Sequence, residues 1–224
     1  MSRTWVGVVA AVTVLVAGCG GGGGGDTYVP PDTRNLDVQA GAFLAAGHLE
    51  VIADVYLDGM AVSNATVTVN GVVIPWSPAD GRYHSYSGTT LGPGSGLTFS
   101  ATVETLQATA YEIIPPDVVI VSPAPGITYT ASSLILVCWD PVSPAPDYYG
   151  VEVPASHTQS GNAYSISLPG TETDTDLPPG TMLAGYTNLQ VSVTARNQSQ
   201  MAGRAMIGDY FNVGNMSVAL FATQ

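Results

Sequence analysis

Past residue 46 apolar residues recur at every second position, and nowhere does a run keep the 3.6-residue apolar period of an amphipathic helix. Side chains that alternate this way point to opposite faces of an extended strand, so the chain is restricted to β-structure with one buried face per sheet. From His48 to Leu57 the residues Leu49, Val51, Ala53, Val55 and Leu57 share one face. Glu50, Asp54 and Tyr56 share the other, with Ile52 the exception. Asp58-Gly59 closes that strand, and Val67 and Val69 alternate up to Asn70-Gly71. Asn-Gly accepts positive φ at both central positions of a two-residue hairpin, so Val72 to Trp76 is expected as the return strand. Further strands are expected over Arg82 to Tyr86, and over Leu97 to Val103 after the turn Gly92-Pro93-Gly94-Ser95-Gly96.

Composition agrees, with 26 Gly and 16 Pro supplying turns and charged residues making up only 10%. An average soluble domain carries about 25% charged residues. The chain has 17 Asp and Glu against five Arg, no Lys, and a net charge of −12. So negative a surface repels phosphate backbones, which argues against a nucleic-acid partner. It repels anionic lipid headgroups as well, so any membrane attachment has to come from an anchor rather than a basic patch.

Pro115-Pro116 stiffens the backbone and resists a continuing central strand, which sets a boundary between a first sandwich over residues 36–114 and a second over 115–224. In the first, Val67 to Gly71, Asp80 to Tyr83 and Leu91 to Gly94 resemble the prealbumin-like modules of carboxypeptidase regulatory domains. In the second, Ser133 to Pro141 (SLILVCWDP), Tyr148 to Val153, Asp176 to Thr181 and Leu189 to Asn197 resemble a fibronectin type III domain. That resemblance implies a core role for Trp139. It also implies a Tyr corner, for which Leu189 occupies the usual position; either Tyr186 takes the role or the corner is missing. The expected fold is therefore all-β, two tandem immunoglobulin-like or fibronectin type III-like sandwiches. Alternation puts Leu134, Leu136 and Cys138 opposite the core-facing Ile135, Val137 and Trp139. An outward apolar stripe needs cover, and the segment Val218 to Phe221 is the favoured source.

The N-terminus follows a different logic. Arg3 precedes an apolar run from Trp5 to Ala17, too short for the roughly 20 residues of a spanning helix. A positive start, a short apolar stretch and small residues describe a secretory leader. The run Val16-Ala17-Gly18-Cys19 resembles the lipobox of bacterial lipoproteins. The resemblance implies a signal peptide over residues 1–18, removed by cleavage, and lipidation of Cys19 with several acyl chains such as palmitate. Removal leaves 206 residues and, with Arg3 lost, a charge of −13. Gly20 to Gly25 has nothing to bury and reads as a flexible linker within residues 19–35. From Cys19 to Pro31 it would span roughly 20 Å. Family knowledge places Asp after the lipidated Cys in proteins kept at the inner membrane; Gly20 stands there, which implies the outer membrane in a Gram-negative host. The location expected is thus the bacterial cell envelope. Of the two cysteines, Cys138 is left alone, either as a buried small hydrophobe or as a thiol open to an intermolecular bridge.

Motifs for chemistry are few. His48, His84 and His157 have no ligand spacing, there is no phosphate-binding loop, and Ser95 lies in a glycine turn rather than a nucleophile elbow. Neither a cofactor nor a catalytic residue is expected. Glu172, Asp174 and Asp176 alternate, so on a strand they project from one face. They form either a solvated edge that resists aggregation or hard-oxygen ligands for Ca²⁺. Trp76, Tyr83, Tyr86, Tyr148 and Tyr149 are the aromatic candidates for ligand binding; Tyr148 and Tyr149 are adjacent, so one faces the core and the other faces out. The expected function is a membrane-anchored, non-enzymatic binding or structural module of the envelope or surface, with a protein or glycan partner. A glycan-binding accessory protein is the alternative, and a hydrolase using paired carboxylates the third reading.

Overall fold

The computed structural model describes residues 33–224 apart from 204 and 207. The leader, Cys19 and the glycine run lie outside the described residues. No described helix is long and apolar enough to cross a membrane.

Alternation becomes strands where it was expected, and in several places where it was not. The strand β1 (Leu36–Ala45) precedes β2 (His48–Leu57) and pairs with it antiparallel along its whole length. Its inward residues Leu36, Val38, Ala40, Ala42 and Leu44 are buried, but two of them are alanines, which weakens the signal in the sequence. After β3 (Met60–Ala61) come β4 (Thr66–Val69) and β5 (Val72–Ile74), joined by Asn70 and Gly71 at φ of 49° and 77°. Positive φ at both residues is the hairpin geometry their side chains permit. Pro75 breaks the return strand, so Trp76 belongs to a separate β6 (Trp76–Ser77) that pairs with β7 (Arg82–Gly88). The hairpin of β8 (Gly96–Val103) and β9 (Leu106–Ile113) completes the segment before Pro115.

Beyond it lie β10 (Ile120–Ser122), β11 (Thr128–Tyr129), β12 (Ile135–Trp139), β13 (Tyr148–Val153), β14 (Tyr164–Pro169) and β15 (Asp174–Leu177). The long β16 (Leu189–Gln200), the short β17 (Ala202–Gly203) and the longest strand, β18 (Tyr210–Thr223), follow. One ten-stranded sheet runs β14-β13-β16-β18-β1-β2-β7-β6, with β3 beside β2 and β11 beside β18. A five-stranded sheet, β17-β9-β8-β4-β5, and a three-stranded sheet, β10-β12-β15, pack against it.

The chain is therefore an all-β protein of two sandwiches. The expected division at Pro115 puts the three-stranded sheet on one side and β4, β5, β8 and β9 on the other, but β17 joins the five-stranded sheet from beyond it and the large sheet crosses it. Strand β18 pairs antiparallel with β16 from Leu189↔Phe221 to Gln200↔Tyr210 and parallel with β1 from Gln39↔Tyr210 to Leu44↔Asn215. Its inward residues serve both cores. Phe211 and Val213 join the first, where Phe211 meets Phe99 at 5.3 Å between ring centroids. Ala219 and Phe221 join the second, with Trp139 3% exposed against Tyr149 at 5.0 Å. Between them the inward face turns polar. Asn215 donates through Nδ2 to the Pro115 carbonyl (3.1 Å) and Asp117 Oδ1 (2.9 Å), and the Ser217 hydroxyl donates to the Val118 carbonyl (2.6 Å). The connection that steps from one small sheet to the other thus has its carbonyls satisfied rather than left bare in a dry interface.

One expectation is corrected. Val218 to Phe221 does not cover the stripe on β12: it lies inside the large sheet, where pairing with β16 and burial of Phe221 claim it. Leu134 and Leu136 stay 54% and 45% exposed, and Cys138 is half-buried. The Tyr corner is missing, since Leu189 fills its place in the core while Tyr186 is 54% exposed.

Candidate functional site

Because both smaller sheets pack on the same side, the large sheet keeps one broad face open, as antiparallel sheets tolerate. On that face Tyr148 (β13), Arg196 (β16), Gly214 (β18), Phe43 (β1), Glu50 (β2) and Tyr86 (β7) stand in register, one transverse row. Tyr148 is the outward member of the adjacent tyrosine pair.

Two side chains of this row rest over glycines, where the sheet beneath lacks side chains. A Cβ on Gly214 would stand 2.7 Å from the Phe43 ring, and one on Gly150 would stand 2.9 Å from the Arg196 guanidinium. Either clash would lift its neighbour off the sheet. The guanidinium carbon sits 5.4 Å from the Phe43 centroid and 5.9 Å from that of Tyr148, within cation–π reach of both. Its Nη2 donates to Glu152 Oε1 at 2.6 Å. The Tyr148 hydroxyl donates to Asn212 Oδ1 at 2.9 Å. Burial pushes the Tyr148 phenol above its ordinary value while Arg196 pulls the other way, so the hydroxyl stays a neutral donor.

Beside this plate a hollow of ≈150 Å³ opens over Gly41, with Gln39, Phe43, Ile52, Asp54, Tyr210 and Asn212 around it. Across Ile52 a second, of ≈260 Å³, lies among Glu50, Asp80, Arg82 and His84. Here charges are matched: Arg82 Nη2 lies 3.4 Å from Asp54 Oδ2, and the His84 ring nitrogens lie 3.2 Å from Glu50 Oε1 and 3.3 Å from Asp80 Oδ2. Hydrogen bonds from Ser77 and His84 hold the Asp80 carboxyl below its ordinary value.

The sequence candidates fall into separate places. Tyr83 and Tyr149 are each 1% exposed, one in each core, so their rings are closed to a ligand and both are corrected to core residues. Trp76 packs edge-on against Tyr83 at 5.2 Å and is half-buried beside the first core, away from the open-face row. Tyr86 is 63% exposed and stacks on His48 at 5.1 Å with 3° between the rings. Tyr86 and Tyr148 alone of the five share the row. Glu172, Asp174 and Asp176 are all exposed, the last two on β15 at the rim of the three-stranded sheet. Among the described residues no group of three or more His, Cys, Asp or Glu is placed to hold a metal, so the calcium expectation finds no converging set. Missed from the sequence were Phe43, Arg196, Glu152 and the glycines beneath them. The available signals were an aromatic on the polar face of an alternating strand and an arginine in a chain with five.

Comparison with protein-family models finds no match, nor does comparison with curated proteins. Among solved structures the chain is similar to the FN1–FN3 domains of chicken CNTN1, at 15% identity and a TM-score of 0.26 over 83% of this chain. It spans 63% of that chain's length. It is also similar to the fibronectin(III)-like modules of Clostridium thermocellum CbhA, at 13% identity and a TM-score of 0.27, covering 84% of this chain and 94% of that one. The all-β sandwich class rests on the sheets themselves rather than on these likenesses.

Proposed function

We propose that this protein is a lipid-anchored, non-catalytic module of the bacterial envelope that binds through the open face of its ten-stranded sheet. The observation that carries the reading is the plate of Tyr148, Arg196 and Phe43, laid on glycines and tied to Glu152 and Asn212 before any ligand arrives. Side chains fixed in advance lose little freedom on binding, which is what a recognition surface gains from such ties. Cys19, following Val16-Ala17-Gly18, supplies the anchor, Gly20 favours the outer membrane, and the glycine run lets the body reach away from it.

The test has two arms in cells. Membrane fractionation should find the protein with the membrane and its Cys19→Ser form released from it. A photo-cross-linking residue at exposed Gln39, on the open face, should capture an envelope component. The same residue at exposed Gln107, on the five-stranded sheet, should not. Equal capture from both positions, or none from Gln39, would sink the binding face; membrane retention of Cys19→Ser would sink the anchor.

A further inference from the structure

Resting on the reading of the open face as a binding surface, we infer that its ligand is an uncharged oligosaccharide lying across the strands from Tyr148 towards Tyr86. Three observations select that chemistry.

Charge comes first. Arg196 is taken by Glu152, Arg82 faces Asp54, and His84 lies between Glu50 and Asp80. Both described arginines of this face are paired, and the four carboxylates together with a net charge of −12 repel an anionic ligand. Glu152 and Asp54 each already face an arginine, and Glu50 and Asp80 both lie against the His84 ring, which leaves a basic peptide little to engage. A neutral ligand disturbs none of these pairs.

Shape comes second. Tyr148 and Tyr86 bracket the row on β13 and β7, five strand spacings apart, with Phe43 between them. At about 4.8 Å per spacing the row is about 24 Å long. Aromatic rings at intervals along an open surface suit a chain of saturated rings, whose C–H groups pack against aromatic rings. A compact ligand would require a deep pocket, and the hollows on this face, including a third of ≈280 Å³ beside Glu152 and Met216, are open ones.

Hydrogen-bonding capacity comes third. Gln39 presents an exposed amide, and Asn212, with Oδ1 held by the Tyr148 hydroxyl, keeps its Nδ2 donors for a ligand. Both border the hollow beside Phe43. Amides offer donor and acceptor together, which matches the paired donor and acceptor character of hydroxyl groups.

The experiment is native-gel affinity electrophoresis of the full chain in a zwitterionic detergent, which carries no sugar headgroup. Hydroxyethylcellulose, dextran and galactomannan are each cast into gels, with anionic polygalacturonate as the comparison. At least one neutral polymer should retard the protein and polygalacturonate should not. Tyr148→Ala should weaken retardation about tenfold, the loss of an aromatic contact of roughly 1.4 kcal/mol. Gln39→Ala, at a position too exposed to affect folding, should weaken it by a smaller factor, and circular dichroism checks that both variants stay folded. No retardation by any neutral polymer, equal retardation by polygalacturonate, or full retardation of both variants overturns the proposal. Cross-links from Gln39 to protein alone, with no neutral polymer bound, would leave the binding face standing and remove the glycan. An absence of cross-links and of retardation would remove both.

Discussion

Over its first half the large sheet is roofed by five strands, and over its second by three. The inner surfaces follow one rule, alternating apolar residues closed around aromatic contacts: Phe99 with Phe211 in the first, Trp139 with Tyr149 in the second. The outer surfaces do not. On β8 the residues between the core positions are Thr98, Ser100 and Thr102, whereas the narrow roof presents Val121, Leu134 and Leu136, 52%, 54% and 45% exposed. Its rim strand carries Asp174 and Asp176 pointing to solvent. The wide roof is polar along β8 but exposes Val73 on β5 and Tyr111 and Ile113 on β9, 63%, 59% and 42% exposed. The narrow one sets its apolar stripe beside a charged rim, which discourages edge-to-edge pairing. Burial inside a sandwich therefore says little about what its outside will tolerate.

The halves are separate roofs over one floor, and the largest expected effect falls on the floor. Phe211→Ala removes the ring that meets Phe99 and should cost about 3–5 kcal/mol. Because β18 also carries Phe221 into the second core, the loss should appear in both halves. Urea unfolding followed by Trp76 fluorescence in a Trp139→Phe background, and by Trp139 in a Trp76→Phe background, should give midpoints that fall together. A Trp139 midpoint that stays put would mean that the halves melt independently.

A smaller effect is expected at the seam. Asn215→Ala leaves the Pro115 carbonyl and Asp117 without their buried donor, at about 1–3 kcal/mol. Here the two midpoints should separate, since the lesion touches neither core but the connection between them; coincident midpoints would show that the large sheet alone couples the halves.

The smallest effect belongs to the first half and to pH. Burial raises the Asp209 carboxyl above its ordinary value, opposed by the N–H groups of Met206 and Val38 and reinforced by Asp37. The folded chain then keeps a proton that the unfolded chain has already released. Its stability falls as pH rises from the ordinary carboxylate range through the raised value. Asp209→Asn should flatten that slope in the Trp76 and Trp139 signals alike, since β18 couples the halves. A slope that persists would mean other carboxylates set it.

Much of the first half could be read from alternation and turn residues: β2, β4, β7 and β8 fall close to where Leu49 to Leu57, Asn70-Gly71 and Gly92 to Gly96 put them. In the second half β12 and β13 do the same. The strand β1 escaped because alanine and glycine carry little hydrophobic signal. The open face was legible in one respect, that one of Tyr148 and Tyr149 must point outward. Which one does depends on the registers of β13 with β14 and β16, and no spacing in the sequence encodes those. The plate escaped for the same reason: Phe43, Tyr148, Arg196 and Gly214 come from four strands, and only pairing across 171 residues (the separation of Val38 and Asp209) sets β1 beside β18.

That pairing has a consequence for how the chain is made. Synthesis delivers β1 first and β18 last, and neither sandwich has a complete floor until β18 arrives. Up to that point β1 has only its hairpin partner, and the inward faces of β8, β9 and β12 have no closed interior to enter. Contacts so distant along the chain form slowly. Neither sandwich can therefore close until β18 has been made, and the architecture defers folding to the end of synthesis.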